Sequence, residues 1–216
     1  MKNKIIDVEE FKTHLKDGLS IMVGGFMAVG TPEMLIDAIV ESNVKNLTII
    51  CNDAGFIDLG VGKLITNGQV KKLVASHIGL NPEAGRLMSS GELKIELVPQ
   101  GTQIERIKIG GNGIGGFYTP TGVGTIVEEG KELKNINGID YILELPLRAD
   151  IALLYGSTVD YYGNTLYTKT TRNFNPVMAT ACDKVFVLAR EVVDYIDPDI
   201  VITPHIFIDY IIKEVS

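Results

Sequence analysis

Short apolar runs rich in β-branched residues alternate along the chain with stretches of helical spacing. The runs Ile21-Met22-Val23, Leu47-Thr48-Ile49-Ile50-Cys51 and Lys72-Leu73-Val74-Ala75-Ser76 predict buried strands, and Lys94 to Val98 a fourth strand. Between them, Asp7 with Glu10 three places on reads as an N-cap for a short helix over Val8 to Lys16. Thr31 and Pro32 read as the N-cap and first residue of a helix reaching about Ser42. A third helix is expected near Pro82 to Met88, and a fourth after the turn Pro99-Gln100-Gly101-Thr102, running to about Ile109. The strand-helix rhythm predicts an α/β fold, an open and mainly parallel sheet with helices on both faces. Leu133 to Leu143 interrupts it: Asn137-Gly138 between alternating runs signals a β-hairpin. Ile151 to Tyr155 and Val185 to Leu188 then resume the sheet, and Ile206 to Lys213 reads as a closing helix. With no internal repeat and no linker in view, residues 1–216 are expected to form a single domain with a hairpin excursion.

The strands keep ending in polar or glycine turns, where open α/β folds place their ligands. Gly24-Gly25-Phe26-Met27-Ala28-Val29-Gly30 joins the first strand to its helix, a setting in which exposed amides and a helix N-terminus attract anions. It lacks the Gly-Lys-Ser/Thr ending of a phosphate loop and its glycines do not follow GxGxxG. On this evidence a tight turn and a binding loop stand equal. The second such stretch, Gly110 to Thr125, holds glycine or proline at eight of its sixteen positions. That density exceeds the needs of an ordinary turn, and the loop reads as ordered backbone facing a ligand or a partner chain.

Gln100 sits at a strand's carboxyl end between Pro99 and Gly101, where its amide can donate to a carbonyl oxygen gaining negative charge; a helix-capping role is the alternative. Arg172-Asn173-Phe174-Asn175-Pro176 combines a helix start with an arginine able to hold a phosphate or pair with an acid. His77 follows a strand without an identifiable nucleophile beside it, and His14 and His205 share no ligand spacing, so no metal site is expected.

Composition narrows the reading. The net charge of −7 and the lack of a basic stripe argue against a nucleic-acid partner, and 45% hydrophobic residues suffice for a sizeable core. Cys51 and Cys182 form no CxxC pattern, consistent with reduced thiols. Residues 1–16 hold no long apolar stretch, and no later segment has the length of a membrane span. A soluble, cytoplasmic protein is expected.

Taken together, Asp17 through Pro32, Asn52-Asp53, Ser76-His77-Ile78-Gly79, Pro99-Gln100-Gly101-Thr102, the glycine loop through Thr125 and Arg172 to Pro176 resemble, in order, the α subunit of the family I CoA-transferases. The similarity lies with the acetate/butyrate-acetoacetate (3-oxoacid) group and extends over nearly the whole chain. It implies a chain that works with a separate β subunit, as αβ or α2β2, to move CoA between short-chain carboxylic acids. CoA enters as a substrate and no cofactor is permanently bound. In that family a β-subunit glutamate passes through an acyl anhydride and a glutamyl-CoA thioester. The resemblance implies that Gly24, Gly25, Phe26, Met27, Ala28, Val29 and Gly30 form the CoA-binding stretch and that Gln100 lies near the reacting thioester. The family's nucleophile lies in a Ser-Glu-Asn-Gly motif absent here; Glu128-Glu129-Gly130 imitates it only partly and reads as a solvated turn. Two other classes stay open: a sugar-phosphate isomerase or deaminase of similar fold, and a non-catalytic binding module.

Overall fold

The computed structural model describes residues 4–215. From the N-terminus, α1 (Val8–Lys12) leads into β1 (Ser20–Val23), α2 (Glu33–Ser42), β2 (Leu47–Cys51), α3 (Gly62–Thr66), β3 (Val70–Ala75), α4 (Pro82–Ser90), β4 (Lys94–Leu97) and α5 (Gln100–Gly111). An excursion of β5 (Phe117–Thr119), β6 (Leu133–Ile136) and β7 (Ile139–Glu144) follows. The chain returns through β8 (Ala149–Gly156), β9 (Thr158–Asp160), β10 (Thr165–Leu166), α6 (Asn175–Met178), β11 (Cys182–Ala189), β12 (Val192–Val193) and β13 (Tyr210–Lys213). Among these residues no helix is long and apolar enough to cross a membrane.

Seven strands form one sheet in the order β13-β11-β8-β1-β2-β3-β4, and every pair in it is parallel. Alternation of side chains across the pleat sorts the core into two layers. Ile21, Val23, Ile49, Leu73 and Leu153 face α1 to α4 through Phe11, Leu35, Ile39 and Leu64, whereas Met22, Ile50, Val74, Ala152 and Leu154 face α5 and α6 through Ile107 and Met178. Each fully buried Leu, Ile or Met contributes about 1.5–3 kcal/mol. The sheet runs outward from β1 to β4 and then restarts on the other side of β1 at β8, so the winding reverses between β1 and β8. That reversal opens a crevice at the strands' carboxyl ends, the place where such sheets bind ligands.

Several expected elements keep their type but not their bounds. Asp7 caps α1, its carboxylate accepting from the Glu10 amide at 2.8 Å. The helix ends at Lys12 rather than Lys16, because the amides of Thr13, His14 and Leu15 turn back onto carbonyls three residues earlier. At α2 the cap is Pro32 and not Thr31, with the Pro32 carbonyl accepting the first helical bonds. Asn137 and Gly138 both adopt positive φ, the inverted two-residue turn the hairpin demands.

Two expectations fail for physical reasons. The closing helix over Ile206 to Lys213 is instead a tight turn at His205–Phe207 followed by strand β13. Ile211 and Ile212 pack into opposite core layers, which only an extended chain permits. Nor is Gly110 to Thr125 one loop: its first two residues complete α5, and Phe117–Thr119 pairs with β7. A Cβ on Gly110 would stand 2.1 Å from the Leu147 carbonyl oxygen, so part of the glycine density serves close helix packing.

Below the sheet, the Asp150 carboxylate accepts from the Ser20 hydroxyl at 2.6 Å and the Ser20 amide at 2.8 Å, joining β1 to β8. The hydroxyl first and the amide second hold the Asp150 carboxyl below its ordinary value. A lowered folded-state pKa stabilises above the unfolded pKa and is lost as pH falls through the folded one. Ser20→Ala is therefore expected to lower the unfolding free energy by at most about 1 kcal/mol near neutral pH, the pair being largely solvated. Urea titrations should show that gap closing as the medium is acidified below about pH 4.

Candidate active site at the sheet's reversal point

The loop leaving β1 is gripped from behind. The Gly24 amide donates to the Leu153 carbonyl at 3.0 Å and the Gly25 amide to Asn173 Oδ1 at 3.0 Å. Asn173 Nδ2 donates to the Val29 carbonyl at 3.0 Å, and Asn175 Nδ2 to the Gly30 carbonyl at 3.0 Å. Asn175 Oδ1 in turn accepts from the Tyr155 amide, so the Asn173–Asn175 segment locks this loop onto β8. Arg172 of the same segment is exposed and makes no ion pair among the described residues.

At the loop's tip Phe26 and Val29 exchange backbone hydrogen bonds of 3.1 and 2.9 Å around Met27 (φ 49°) and Ala28 (φ 64°). Two consecutive left-handed non-glycine residues are uncommon and strained. The amides of Gly24, Gly25, Phe26, Met27 and Val29 are thus engaged inside the protein. What the tip presents outward is apolar: Phe26, Met27 and Val29 are 42%, 44% and 48% exposed.

Gln100 opens α5, whose N-cap is Pro99, so it does not serve as a cap. Its Nε2 donates to Asn52 Oδ1 at 2.6 Å. One Nε2 hydrogen is thereby fixed, and the planar amide leaves the other directed away from Asn52. Ser76 Oγ also donates to Asn52, at 3.1 Å to Oδ1 and 2.8 Å to the carbonyl. The structure brings the Phe26 tip and Gln100 together: both line a cleft of about 420 Å³ with Met27, Ser76, His77 and Leu80. Both also line an adjoining cleft of about 640 Å³ with Gly101, Ile104, Asn173 and Phe174.

Nucleophilic side chains are poorly placed for covalent chemistry. Burial, and secondarily the charge of Asp53, pushes the Cys51 thiol well up; burial pushes Cys182 up to about 12. Neither supplies a thiolate near neutral pH. Glu105 is the acid bordering the larger cleft, and its carboxylate faces Lys108 at 3.5 Å. Glu128 accepts from the Gly124 amide within its own turn. Among the described residues no three His, Cys, Asp or Glu side chains gather as a metal site.

Sequence reading missed a second tip beside the first. Gly55-Phe56-Ile57-Asp58-Leu59-Gly60 repeats the Gly-Phe-x-x-apolar-Gly pattern of Gly25 to Gly30, and Phe56 and Leu59 exchange backbone bonds just as Phe26 and Val29 do. This short local pattern was legible in the sequence.

A cleft at the sheet's reversal point, bordered by an anchored amide and a strained apolar tip, defines an open α/β protein with room for a ligand at the strands' carboxyl ends. The chain belongs to the coenzyme A transferase family, whose model matches residues 7–214. It is 52% identical over 216 residues to the acetoacetyl-CoA:acetate/butyrate CoA transferase alpha subunit of Clostridium acetobutylicum, covering 99% of each. It is 51% identical over 214 residues to the acetate CoA-transferase subunit alpha of Escherichia coli, covering 98% of this chain and 97% of the relative. The fold matches an acyl-CoA transferase of E. coli O157:H7, solved as a thioester complex with CoA, at a TM-score of 0.87 and 19% identity. That match covers 99% of this chain but only 47% of the solved one, so this chain spans about half of it. Glutaconate coenzyme A-transferase from Acidaminococcus fermentans matches at a TM-score of 0.83 and 16% identity, with 97% and 75% coverage. The sugar-phosphate and binding-module readings find no support among these relatives.

Gly25 has φ +127°, and a Cβ there would lie 2.0 Å from Thr31 Oγ1. Gly25→Val is expected to displace the tip and lower kcat/KM for acyl-CoA at least about tenfold, with an unchanged circular dichroism spectrum. Parental kinetics would reduce the loop to a turn.

Proposed function

We propose that this chain is the α subunit of a transferase that moves CoA between short-chain acyl-CoA and acetate or acetoacetate, with a β subunit supplying the reacting glutamate. The observation that carries the reading is Gln100, held by Asn52 at the junction of two clefts whose bordering acids, Asp53 and Glu105, are respectively hydrogen-bonded to three N–H groups and paired with Lys108. The partner's glutamate attacks the thioester carbonyl, giving a mixed anhydride and free CoA thiolate. The thiolate then attacks the glutamyl carbonyl, releasing the first acid and leaving glutamyl-CoA. The incoming acid reverses both steps. Each tetrahedral oxyanion gains from a pre-positioned donor, the role assigned to the outward Nε2 hydrogen of Gln100. Residues Gly24 to Gly30 contribute the shape and apolar surface of Phe26, Met27 and Val29 to the CoA side of the cleft. That surface suits the uncharged arm of CoA better than its phosphates.

The test is an assay of the chain combined with its β subunit, following acetyl-CoA formed from acetoacetyl-CoA and acetate. Turnover is expected; turnover of a sugar phosphate instead, or no transfer with any acid, would remove the reading.

A further inference from the structure

Asp53 is a buried carboxylate that none of the chemistry above uses. It is 6% exposed at the end of β2, and among the described residues it takes three N–H donors in place of a cation. Oδ2 accepts from the Met27 amide at 2.8 Å and from Asn52 Nδ2 at 2.9 Å; Oδ1 accepts from the Gly55 amide at 3.0 Å. Asn52 is the residue that holds Gln100. One carboxylate therefore touches the first tip, the base of the second, and the anchor of the proposed oxyanion donor.

The second tip gives a comparison, with the difference that Asn173 and Asn175 grip only the first. Both tips close with the same pair of backbone bonds, but only Met27 and Ala28 adopt positive φ; Ile57 and Asp58 do not. Only the first tip has the amide of its leading turn residue bonded to a buried carboxylate. Neither Met27 nor Ala28 is a residue that favours an inverted turn, so something outside the tip must select it. A charged acceptor bonded to the Met27 amide is suited to that task, because charge-assisted bonds are the stronger kind.

We infer that Asp53 is a positioning residue of the transfer site: its carboxylate holds the Met27-Ala28 turn inverted and, through Asn52, sets the orientation of Gln100. The inference rests on the reading of Gln100 and the Phe26 tip as parts of that site. An asparagine of the same shape has one acceptor oxygen and an NH2 group, which would face either the Met27 and Asn52 donors or the Gly55 amide. It cannot satisfy all three.

The assembled transferase carrying Asp53→Asn is expected to show faster hydrogen exchange over residues 24–31 and a kcat/KM at least about tenfold lower, short of the roughly 100-fold that a full 1 Å misplacement of reacting groups can cost. Adding Ala28→Gly should restore most of that loss, since glycine takes the positive φ without strain. A defect elsewhere in the fold would not respond to a glycine at the tip. Asn52→Ala removes the branch to Gln100 and one of the three donors to Asp53 but leaves the Met27 and Gly55 amides bonded to it, so it should lower kcat while exchange over 24–31 stays near parental; it carries the test if Asp53→Asn fails to assemble. Unchanged exchange over 24–31 in Asp53→Asn overturns the inference whatever the activity. Faster exchange with parental kcat/KM strikes the tip and Gln100 from the site instead. A normal kcat in Asn52→Ala overturns the branch to Gln100.

Discussion

Purified without its partner, the 216-residue chain is expected to fold and to exchange no CoA between acetoacetyl-CoA and acetate, activity appearing on mixing with the β subunit. The seven-stranded sheet and both core layers are built from this chain's own residues, which is why it is expected to fold without the partner. Under the proposed division of roles, the chemistry does wait. A glutamyl thioester needs a carboxylate placed beside oxyanion donors. The acids nearest that description are occupied elsewhere: Asp53 by three N–H groups, Glu105 facing Lys108, and Glu128 by the Gly124 amide. Borohydride added during turnover reduces a glutamyl thioester to the alcohol, and mass spectrometry should place that change in the partner. Robust transfer by this chain alone, or a label on Glu105, Glu128 or Glu129, would defeat the division of roles.

Gln100→Ala in the assembled enzyme is expected to lower kcat on the order of 100-fold, the loss that follows removal of one oxyanion donor. The bond from Nε2 to Asn52 explains why a flexible, exposed glutamine is suited to such work: its amide plane is set before substrate arrives. KM for acyl-CoA should move far less, because the clefts' apolar walls are untouched. Gln100→Glu replaces the donor with an acceptor and is expected to fare no better than alanine. A near-parental kcat in Gln100→Ala would leave the residue as an anchor for Asn52 alone.

The local signals that survived folding are those whose energetics are themselves local. Asp7 caps its helix because the Glu10 amide lies within reach three residues on, and Asn137-Gly138 turns because both residues tolerate positive φ. The run from Ile206 to Lys213 misled because its apolar residues fit a helical stripe as well as a buried strand. Pairing with β11 and two-sided burial decided the matter, and neither is visible without the neighbours. The glycines from Gly110 onward looked like one functional loop because sequence does not tell a glycine that packs a helix against Leu147 from one that turns a chain.

For the site, the chain's order of motifs was enough to nominate Gln100 and Gly24 to Gly30 as candidates and to show that the family's Ser-Glu-Asn-Gly motif is missing. Apolar periodicity marked most of the alternation of strands and helices but not the short α3 (Gly62–Thr66), since burial of every second or every third-to-fourth residue is a local rule that five residues barely express. Only the tertiary structure placed β8 beside β1, brought Asn173 and Asn175 under the loop, and spent its amides inside the protein. It alone inverted the Met27-Ala28 turn over Asp53 and oriented Gln100 through Asn52. Those arrangements depend on partners 26 to 148 residues apart, whose attraction exists only once the sheet has brought them within hydrogen-bond reach.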